Sequence, residues 1–417
     1  MEQAKLPSGS DKKWLSVLGV GAEGLTGLSE VARFLLDQAE VIVGGQRHLG
    51  MLPNSDLRPK LAWDSPITIT LDQIAARRGE LVCVLASGDP LFYGIGGPLL
   101  ERFALDEMTI IPAVSALALA CSRLGWAWAD VEVVSLCGRP LELLHTLLYP
   151  GAKIMALSAT GETPRQVAQA LTTRGYGDST LYILENLGHS QEKVLKTPAG
   201  AWAEQEIANL NIIGIHCQRT PEAAELGGVP HSRLAGLSDL AYSHDGQLTK
   251  QEVRAMTLAA LAPLPGQLLW DVGAGCGSIG IEWLRTHPRC QAIAIERHPQ
   301  RQQLIAENAV NLGVPNLKIV PGVAPEILVD LPQPDAIFIG GGVHISGMLE
   351  TAWQALKPGG RLVVNAVTVA SEQLIFHWQQ QVGGTLRRIA IQRAEPLGTY
   401  LAWRSLAPVT QWQVLKY

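Results

Sequence analysis

The sequence predicts an α/β protein built from two successive domains, and three observations carry that prediction. The chain has 417 residues, more than one hydrophobic core usually supports. Apolar strands, glycine turns and amphipathic helices alternate along most of it. One stretch without periodicity interrupts that alternation. Composition agrees: 47% hydrophobic and 17% charged residues with 42 glycines suit compact α/β domains and exclude a disordered or fibrous chain.

The first domain opens at Trp14, where WLSVLGVGAEG reads as strand and glycine turn, followed by the amphipathic stretch Leu28 to Leu36 and the short apolar run Glu40 to Gly44. Further strands are predicted at Leu81 to Ala86, Met108 to Ile111, Val131 to Leu136, Ile154 to Leu157, Thr180 to Leu184 and Ile212 to Cys217, with helices at Ser115 to Leu124 and Pro164 to Arg174. After Arg219 the segment PEAAELGGVPHSRLAGLSDLAYSHDGQ, rich in Gly, Pro, Ser and Asp, is the expected linker. We therefore expect domains at 12–222 and 244–417 joined by 223–243.

In the second domain the helix Lys250 to Leu261 precedes strands at Leu268 to Val272, Ala292 to Glu296, Leu317 to Val320, Ala336 to Ile339 and Arg361 to Asn365. Helices are expected at Gly280 to Thr286, Gln300 to Leu312 and Gly347 to Leu356, and the ending GTYLAWRSLAPVTQWQVL reads as a β-rich hairpin. Such alternation implies a mostly parallel, doubly wound sheet with its ligand at the carboxyl ends of the strands.

A formal net charge of -5 without a long Lys/Arg run gives no electrostatic footprint for nucleic acid or an anionic membrane, which favours small-molecule partners. No apolar run is long enough for a bilayer span and the start is polar, so a cytoplasmic protein is expected. The cysteines Cys83, Cys121, Cys137, Cys217, Cys276 and Cys290 show neither a Cys-x-x-Cys pair nor metal-ligand spacing; reduced, mostly buried thiols and no metal are expected.

LLWDVGAGCGSIGIEWL places Gly273, Gly275 and Gly277 between a strand ending around Asp271 and a helix. Backbone without Cβ lets a ligand approach the strand end, and the helix start favours polar or anionic groups. The next strand ends in Glu296, a carboxylate suited to two ribose hydroxyls. A tight turn with a surface carboxylate explains the same residues without a ligand, and the glycine pattern alone is shared with NAD-binding folds. The preceding helix and the β-rich ending resemble the layout of class I methyltransferases, a likeness that implies a cofactor methyl pointing towards loops after later strands.

In the first domain LASGDPLFYGIG carries Gly88, Asp89, Pro90 and Phe92 after an apolar strand. By itself it is equally an ordinary helix start, with Asp as cap and Pro in the first turn. His48, His189, His231 and His344 are possible acids or bases, although scattered histidines usually serve structure; His344, after the FIGGG strand end, is the best placed. Arg47, Arg139 and Lys250 suit substrate carboxylates, but isolated cations commonly only solvate a surface.

Taken in order, VLGVGAEG, AEVIVGGQRHL, LASGDPLFYGIG, IPAVSALALACSRLGWAWAD, VVSLCGRP and ILENLG resemble the tetrapyrrole methylase family, in particular its precorrin carbon-5 methylase branch. DGQLTKQEVRAMTLAAL, LLWDVGAGCGSIGIEWL, AIERHPQ, AIFIGGG and LKPGGRLVVNAVT are similar to the decarboxylating precorrin methylases of cobalamin biosynthesis. The resemblance implies a two-lobed tetrapyrrole methylase fold followed by a class I, Rossmann-like methyltransferase fold, with one S-adenosylmethionine per domain. It implies cofactor contacts from Gly19, Gly21, Gly88, Asp89, Pro90, Phe92, Ser115 and Ala116 in the first domain, and from Thr249, Asp271, Gly273, Gly275, Gly277 and Glu296 in the second. Gln247 to Lys250 belong to a segment lining or closing the second site, with Lys250 and His344 as candidate catalytic groups.

The implied reaction is methylation of a precorrin, with or without cobalt, at carbons 5 and 15, with loss of the ring C acetate carboxyl. A homo-oligomer is expected, with no nucleic-acid or membrane partner. Two departures stand out: Ala113, where the family commonly has Gly and which is strained if the position needs positive φ, and Val323, where an acidic residue is frequent. The alternatives are a domain that has lost catalysis and acts as a binding or dimerisation scaffold, and an RNA methyltransferase, against which the acidic balance argues.

Overall fold

The computed structural model describes residues 13–225 and 231–417. Residue 12, where the first domain is expected to begin, and 226–230 of the expected linker lie outside the described residues. Contacts divide the described chain into two units: one comprises residues up to Arg139 and from Pro150 to 225, the other Pro140–Tyr149 and everything from 231 onward. The short segment Pro140–Tyr149, expected within the first domain, thus groups with the second unit.

The first unit holds two five-stranded sheets. One contains β1 (Leu15–Val20), β2 (Val41–Gly44), β3 (Lys60–Ala62), β4 (Val82–Ser87) and β5 (Met108–Ile111) in the order β3-β2-β4-β1-β5, all parallel. Every residue of β1 and β2 is buried, as a parallel sheet covered on both faces requires. Alternation splits the strands between two cores: Leu15, Val17, Val41, Val43, Val82 and Val84 enter one, and Leu18, Val20, Ile42, Cys83 and Leu85 the other.

The second sheet contains β6 (Val131–Ser135), β7 (Lys153–Leu157), β8 (Thr180–Glu185), β9 (Lys193–Pro198) and β10 (Asn211–His216) in the order β6-β7-β10-β8-β9. Only β6 and β7 run parallel; the other neighbours are antiparallel. Helix Ala116–Leu124 starts from the Ser115 cap, whose hydroxyl accepts from the Ala118 N–H, and ends at Gly125 in the left-handed conformation.

The second unit is a seven-stranded sheet. It comprises β11 (Leu268–Val272), β12 (Gln291–Glu296), β13 (Lys318–Pro321), β14 (Ala336–Ile339), β15 (Arg361–Ala366), β16 (Thr385–Ile389) and β19 (Val409–Leu415), whereas β17 (Gln392–Leu397) and β18 (Tyr400–Ser405) pair only with each other. The order β13-β12-β11-β14-β15-β19-β16 reverses direction of growth at β11, and β11 to β15 are parallel. A crevice opens at the carboxyl ends of strands on either side of such a switch.

The chain ending departs from a simple hairpin. β18 turns back on β17, while β19 inserts antiparallel between β15 and β16. Alternation announces strands here, but pairing depends on partners that precede the expected hairpin. The long helix Val369–Val382, which follows β15, is not among the expected elements.

The segment expected to be a linker is in part structural. Leu237 and Tyr242 are 5% exposed in the core beneath helices Gln251–Leu261 and Ser278–Thr286. The Tyr242 hydroxyl donates to Glu282 at 2.9 Å, and Asn308 bonds both the N–H and the carbonyl of Ser243. Among the described residues no helix is long and apolar enough to cross a membrane.

Candidate cofactor and active sites

In the second unit the glycine loop after β11 and the ends of β12, β14 and β15 surround a cavity of about 500 Å³. Gly273 and Gly275 line it at φ +71° and +62°, a region that L side chains rarely adopt. A Cβ on Gly275 would meet only the Gln247 carbonyl oxygen, at 3.5 Å, so the side-chain space there is open to a ligand.

Glu296 is 4% exposed, and its two carboxylate oxygens are oriented separately: Oε2 accepts from the Gly275 N–H at 2.9 Å and Oε1 from the His298 N–H at 3.0 Å. The glycine loop and the carboxylate are therefore one rigid unit. Each oxygen keeps a lone pair for a hydroxyl donor in the cavity.

Not every residue expected at this site reaches the cavity. Gly277 does not line it; a Cβ there would strike Ile305 Cγ2 at 2.9 Å, so this glycine admits helix Pro299–Asn311 rather than a ligand. Asp271 lies behind the loop at 1% exposure, where Oδ2 accepts from the Gly280 N–H at 2.9 Å. Burial pushes its carboxyl up to about 7, with the Glu296 charge adding to the effect. Asp271 supports the start of the helix and makes no cavity wall.

Gln247, Leu248, Thr249, Lys250 and His344 do line the cavity, as do Arg297, Arg301, Val323 and Asn365. Val323 is 48% exposed, so an apolar side chain occupies the place where a carboxylate is frequent. Cys276 also borders the cavity, with its thiol pushed by burial up to about 11, and is thus a neutral wall group.

The wall segment before Lys250 is held from beneath by residues the sequence reading passed over. Arg254 is wholly buried and bonds Glu282, Asp239 and the carbonyls of Leu237 and Thr249. Glu282 further accepts from the N–H groups of Gly236 and Leu237, and Arg393 pairs with Asp239 and Glu252. A charged residue on an otherwise amphipathic helix reads as solvated; an Arg and a Glu both falling on apolar helix faces was the one available signal.

In the first unit the expected residues meet at the carboxyl ends of β1 and β4. Gly88, at φ +56°, donates its N–H to the Val20 carbonyl at 2.9 Å and accepts from the Ala113 N–H at 3.0 Å. A Cβ on Gly19 would lie 1.9 Å from the Gly88 carbonyl oxygen and 2.4 Å from the Ala113 nitrogen, and one on Gly88 would lie 3.2 Å from Ser115 Cα. Gly19, Gly88, Ser115 and Ala116 are therefore together, with the glycines required by crossing backbones. The side-chain space of Gly21 is taken by Glu23, whose Oε2 would be 2.4 Å from a Cβ.

Asp89 is half-buried and its Oδ1 caps the Leu91 N–H at 2.9 Å, while Pro90 is buried and its carbonyl accepts from Gly96. Phe92 turns into the core beside helix Ala116–Leu124, stacking edge-on against Trp128. Ala113 carries no strain: among the described residues the non-glycines at positive φ are Tyr93, Asn186 and Ala262.

Beside this turn, Arg47 Nη2 donates to Ser87 Oγ at 2.9 Å and lies 3.1 Å from His48 Nε2. Burial, reinforced by the Arg47 charge, lowers the imidazole to about 4, so His48 is neutral at physiological pH. Arg139 stacks over the Tyr93 ring at 4.9 Å. Of the other histidines, His189 caps a local turn, and the His231 carbonyl accepts from Arg285.

Comparison with known proteins places these two units in one family. Residues 15–203 match the family model described as tetrapyrrole (corrin/porphyrin) methylases, and residues 240–416 match that of the precorrin methyltransferase domain. A protein of Sinorhizobium sp named precorrin-6Y C(5,15)-methyltransferase [decarboxylating] is 46% identical over 403 residues, 97% of this chain and 96% of its own length. This chain belongs to the precorrin-6Y C(5,15)-methyltransferase (decarboxylating) family.

Two shorter relatives, both from Salmonella typhimurium, divide the family's name between them. A cobalt-precorrin-7 C(5)-methyltransferase is 33% identical over 45% of this chain and 92% of its own length. A cobalt-precorrin-6B C(15)-methyltransferase (decarboxylating) is 40% identical over 29% of this chain and 62% of its own length. In family terms, the first unit is the tetrapyrrole methylase domain and the second the precorrin methyltransferase domain.

Proposed function

We propose that this chain carries out both activities in its family's name, the first domain methylating carbon 5 of a precorrin-6B-type tetrapyrrole and the second methylating carbon 15 with loss of the ring C acetate carboxyl. The observation that carries the reading is the second cavity. Its open glycine loop and fixed Glu296 carboxylate stand at the ends of β11 and β12, and Lys250, His344 and Asn365 also line it. In the same reading the domains are 12–222 and 244–417, the second joined by the packed residues Leu237 to Ser243 of the segment before it, each binds one S-adenosylmethionine, and the protein works as a homo-oligomer in the cytoplasm without nucleic acid.

The open side-chain space at Gly275 and the spare Glu296 lone pairs fit that cofactor, with Gly273 and Gly275 admitting its backbone-facing edge and Glu296 accepting from its ribose hydroxyls. When bound, the cofactor supplies an electrophilic methyl group. Val323 would offer the adenine an apolar contact, and Thr249 and Lys250 belong to the wall segment that would cover the bound cofactor. In the first domain Gly88, Asp89, Ser115 and Ala116, gathered at the strand ends, would hold the other cofactor molecule.

The meso carbons of a partly reduced tetrapyrrole are enamine-like nucleophiles, so the protein's main task is alignment, an effect of up to about 7–11 kcal/mol when fully realised. Lys250 and Arg297 line the cavity as cations suited to substrate carboxylates, and His344, in the same wall, is the candidate for proton exchange. Electrons released by the departing carboxylate spread into the conjugated macrocycle of the substrate itself.

Mass spectrometry of product made by the full chain from precorrin-6B and excess cofactor is the direct test. Two added methyl groups and one lost carbon dioxide are expected; a product with one methyl group only overturns the two-activity reading. Titration calorimetry of the full chain with S-adenosylhomocysteine is expected to give two sites, and a stoichiometry of one overturns one cofactor per domain.

A further inference from the structure

Behind the second cavity lies a cluster of uncharged polar groups that neither the glycine loop nor the Arg254 network explains. Asn365, near the end of β15, donates from Nδ2 to Thr257 Oγ at 2.9 Å and accepts at Oδ1 from Gln411 Nε2 at 3.1 Å. Gln411 Nε2 also donates to Thr257 Oγ at 3.2 Å, and Thr257 donates its own hydrogen to the Val253 carbonyl at 2.8 Å. Thr257 and Gln411 are wholly buried, and Gln411 Oε1 is buried without a hydrogen-bond partner.

This arrangement fixes which way the Asn365 amide faces. The Thr257 hydrogen is committed to Val253, so Thr257 offers only lone pairs and the group facing it must be a donor. Both hydrogens of Gln411 Nε2 are used, one towards Asn365, so the group facing it must be an acceptor. Flipping Asn365 would set donor against donor and acceptor against acceptor, at a cost the buried site cannot relieve with water.

Asn365 is the member of the cluster that lines the cavity. With one N–H held by Thr257, its second N–H is left for a ligand. Its position identifies which ligand: Glu296 ends β12 and Asn365 lies on β15, three strand spacings away across β11 and β14, or about 14 Å. A cofactor held by its ribose at Glu296 directs its reactive end away from β13, so the acceptor molecule occupies the β15 side.

We propose that Asn365 is a substrate-positioning residue of the second site, donating its free N–H to a carboxylate oxygen of the tetrapyrrole, and that Thr257 and Gln411 serve to hold that amide in one orientation. The inference rests on the reading of this cavity as the carbon-15 methylation site. It adds a polar contact to an acceptor that presents many acidic side chains, from a residue that carries no charge and so orients without binding any carboxylate indiscriminately.

The test uses the full chain with Asn365→Ala, Asn365→Ser and Gln411→Leu. For the Asn365 variants KM for the tetrapyrrole in the decarboxylating reaction is expected to rise about tenfold. Affinity for S-adenosylhomocysteine and carbon-5 methylation should stay within about twofold of the parent. Gln411→Leu, at a position that does not itself line the cavity, is expected to reproduce part of the KM rise, because the Asn365 amide is then free to turn. Unchanged KM in both Asn365 variants overturns the inference, as does an equal loss of cofactor affinity, which would place Asn365 on the cofactor. Absence of any cofactor binding to the second domain of the unmodified chain would instead remove the reading on which the inference rests.

Discussion

The two domains place glycines in strand-end turns for different physical reasons. In the second, Gly273 and Gly275 have positive φ and face a cavity, and the space a Cβ would take at Gly275 is open except for one carbonyl oxygen. In the first, the space beside Gly19 is already filled by the Gly88 carbonyl and the Ala113 N–H. Gly275 leaves room for a ligand, whereas Gly19 lets the chain cross itself. A glycine-rich turn in a sequence therefore signals close approach without saying what approaches.

Substitution by alanine sharpens that contrast most. Gly19→Ala sets a Cβ 1.9 Å from a backbone oxygen and 2.4 Å from a backbone nitrogen, neither of which can rotate away. We expect a loss of more than about 3 kcal/mol, comparable to severe overpacking, and failure of the first domain to fold cooperatively. Gly275→Ala has steric room and costs only the positive φ, about 1 kcal/mol, yet should weaken cofactor binding at the second site. Thermal unfolding and calorimetry on both variants check this; a stable Gly19→Ala protein breaks the comparison.

Next in size is the division of chemistry. Gly275→Arg places a long cation where the backbone must approach the ligand, and the variant is expected to add at most the carbon-5 methyl and to release no carbon dioxide. Asp89→Ala removes the cap on the Leu91 N–H in the other domain and should retain decarboxylation and carbon-15 methylation while losing the other methyl. Decarboxylation at the parent rate by Gly275→Arg, or loss of both activities by a folded Asp89→Ala protein, breaks the assignment of one reaction to each domain.

A smaller effect is expected at Glu296. Glu296→Gln keeps the shape, but an amide nitrogen must then face either the Gly275 or the His298 N–H. Cofactor affinity at the second site should fall by about 1–3 kcal/mol, the range for a lost charge-assisted bond with an unpaired donor. Retention of full affinity would show that the carboxylate only braces the loop.

Much of this architecture was legible because it is written in local periodicity. The bounds of β11 and β14 follow from short apolar runs between turn signals, and Glu296 from its register at the end of the next strand. What was illegible depends on partners far apart in the chain. Arg254 meets Glu282 across 28 positions and Asn365 meets Thr257 across 108, and no helical or strand period links such residues. Asp271 and Gly277 lie within the right motif but behind it, since spacing fixes proximity and not the direction a residue faces. Phe92 likewise belongs to the turn in sequence and to the core in space.

The most graded difference between the domains is their response to pH, and the signs are opposite. Burial lowers His48 of the first domain from 6.5 to about 4, so the unfolded chain binds the extra proton between those values. Stability from this group is present above pH 6.5 and lost as pH falls towards 4. Burial raises Asp271 of the second domain from 3.8 to about 7, so here the folded state binds the extra proton. That stability is present below pH 3.8 and lost as pH rises through 7. Between pH 4 and 6.5, acidification therefore weakens the first domain through His48 and strengthens the second through Asp271. Asp271→Asn, whose carbonyl still accepts from the Gly280 N–H, should remove the second slope, and His48→Gln the first. Hydrogen exchange of the full chain at several pH values, read at amides of β1 and of β11, separates the two. If Asp271→Asn leaves the pH slope at β11 unchanged, the buried carboxyl is not the group that couples the second domain to protons.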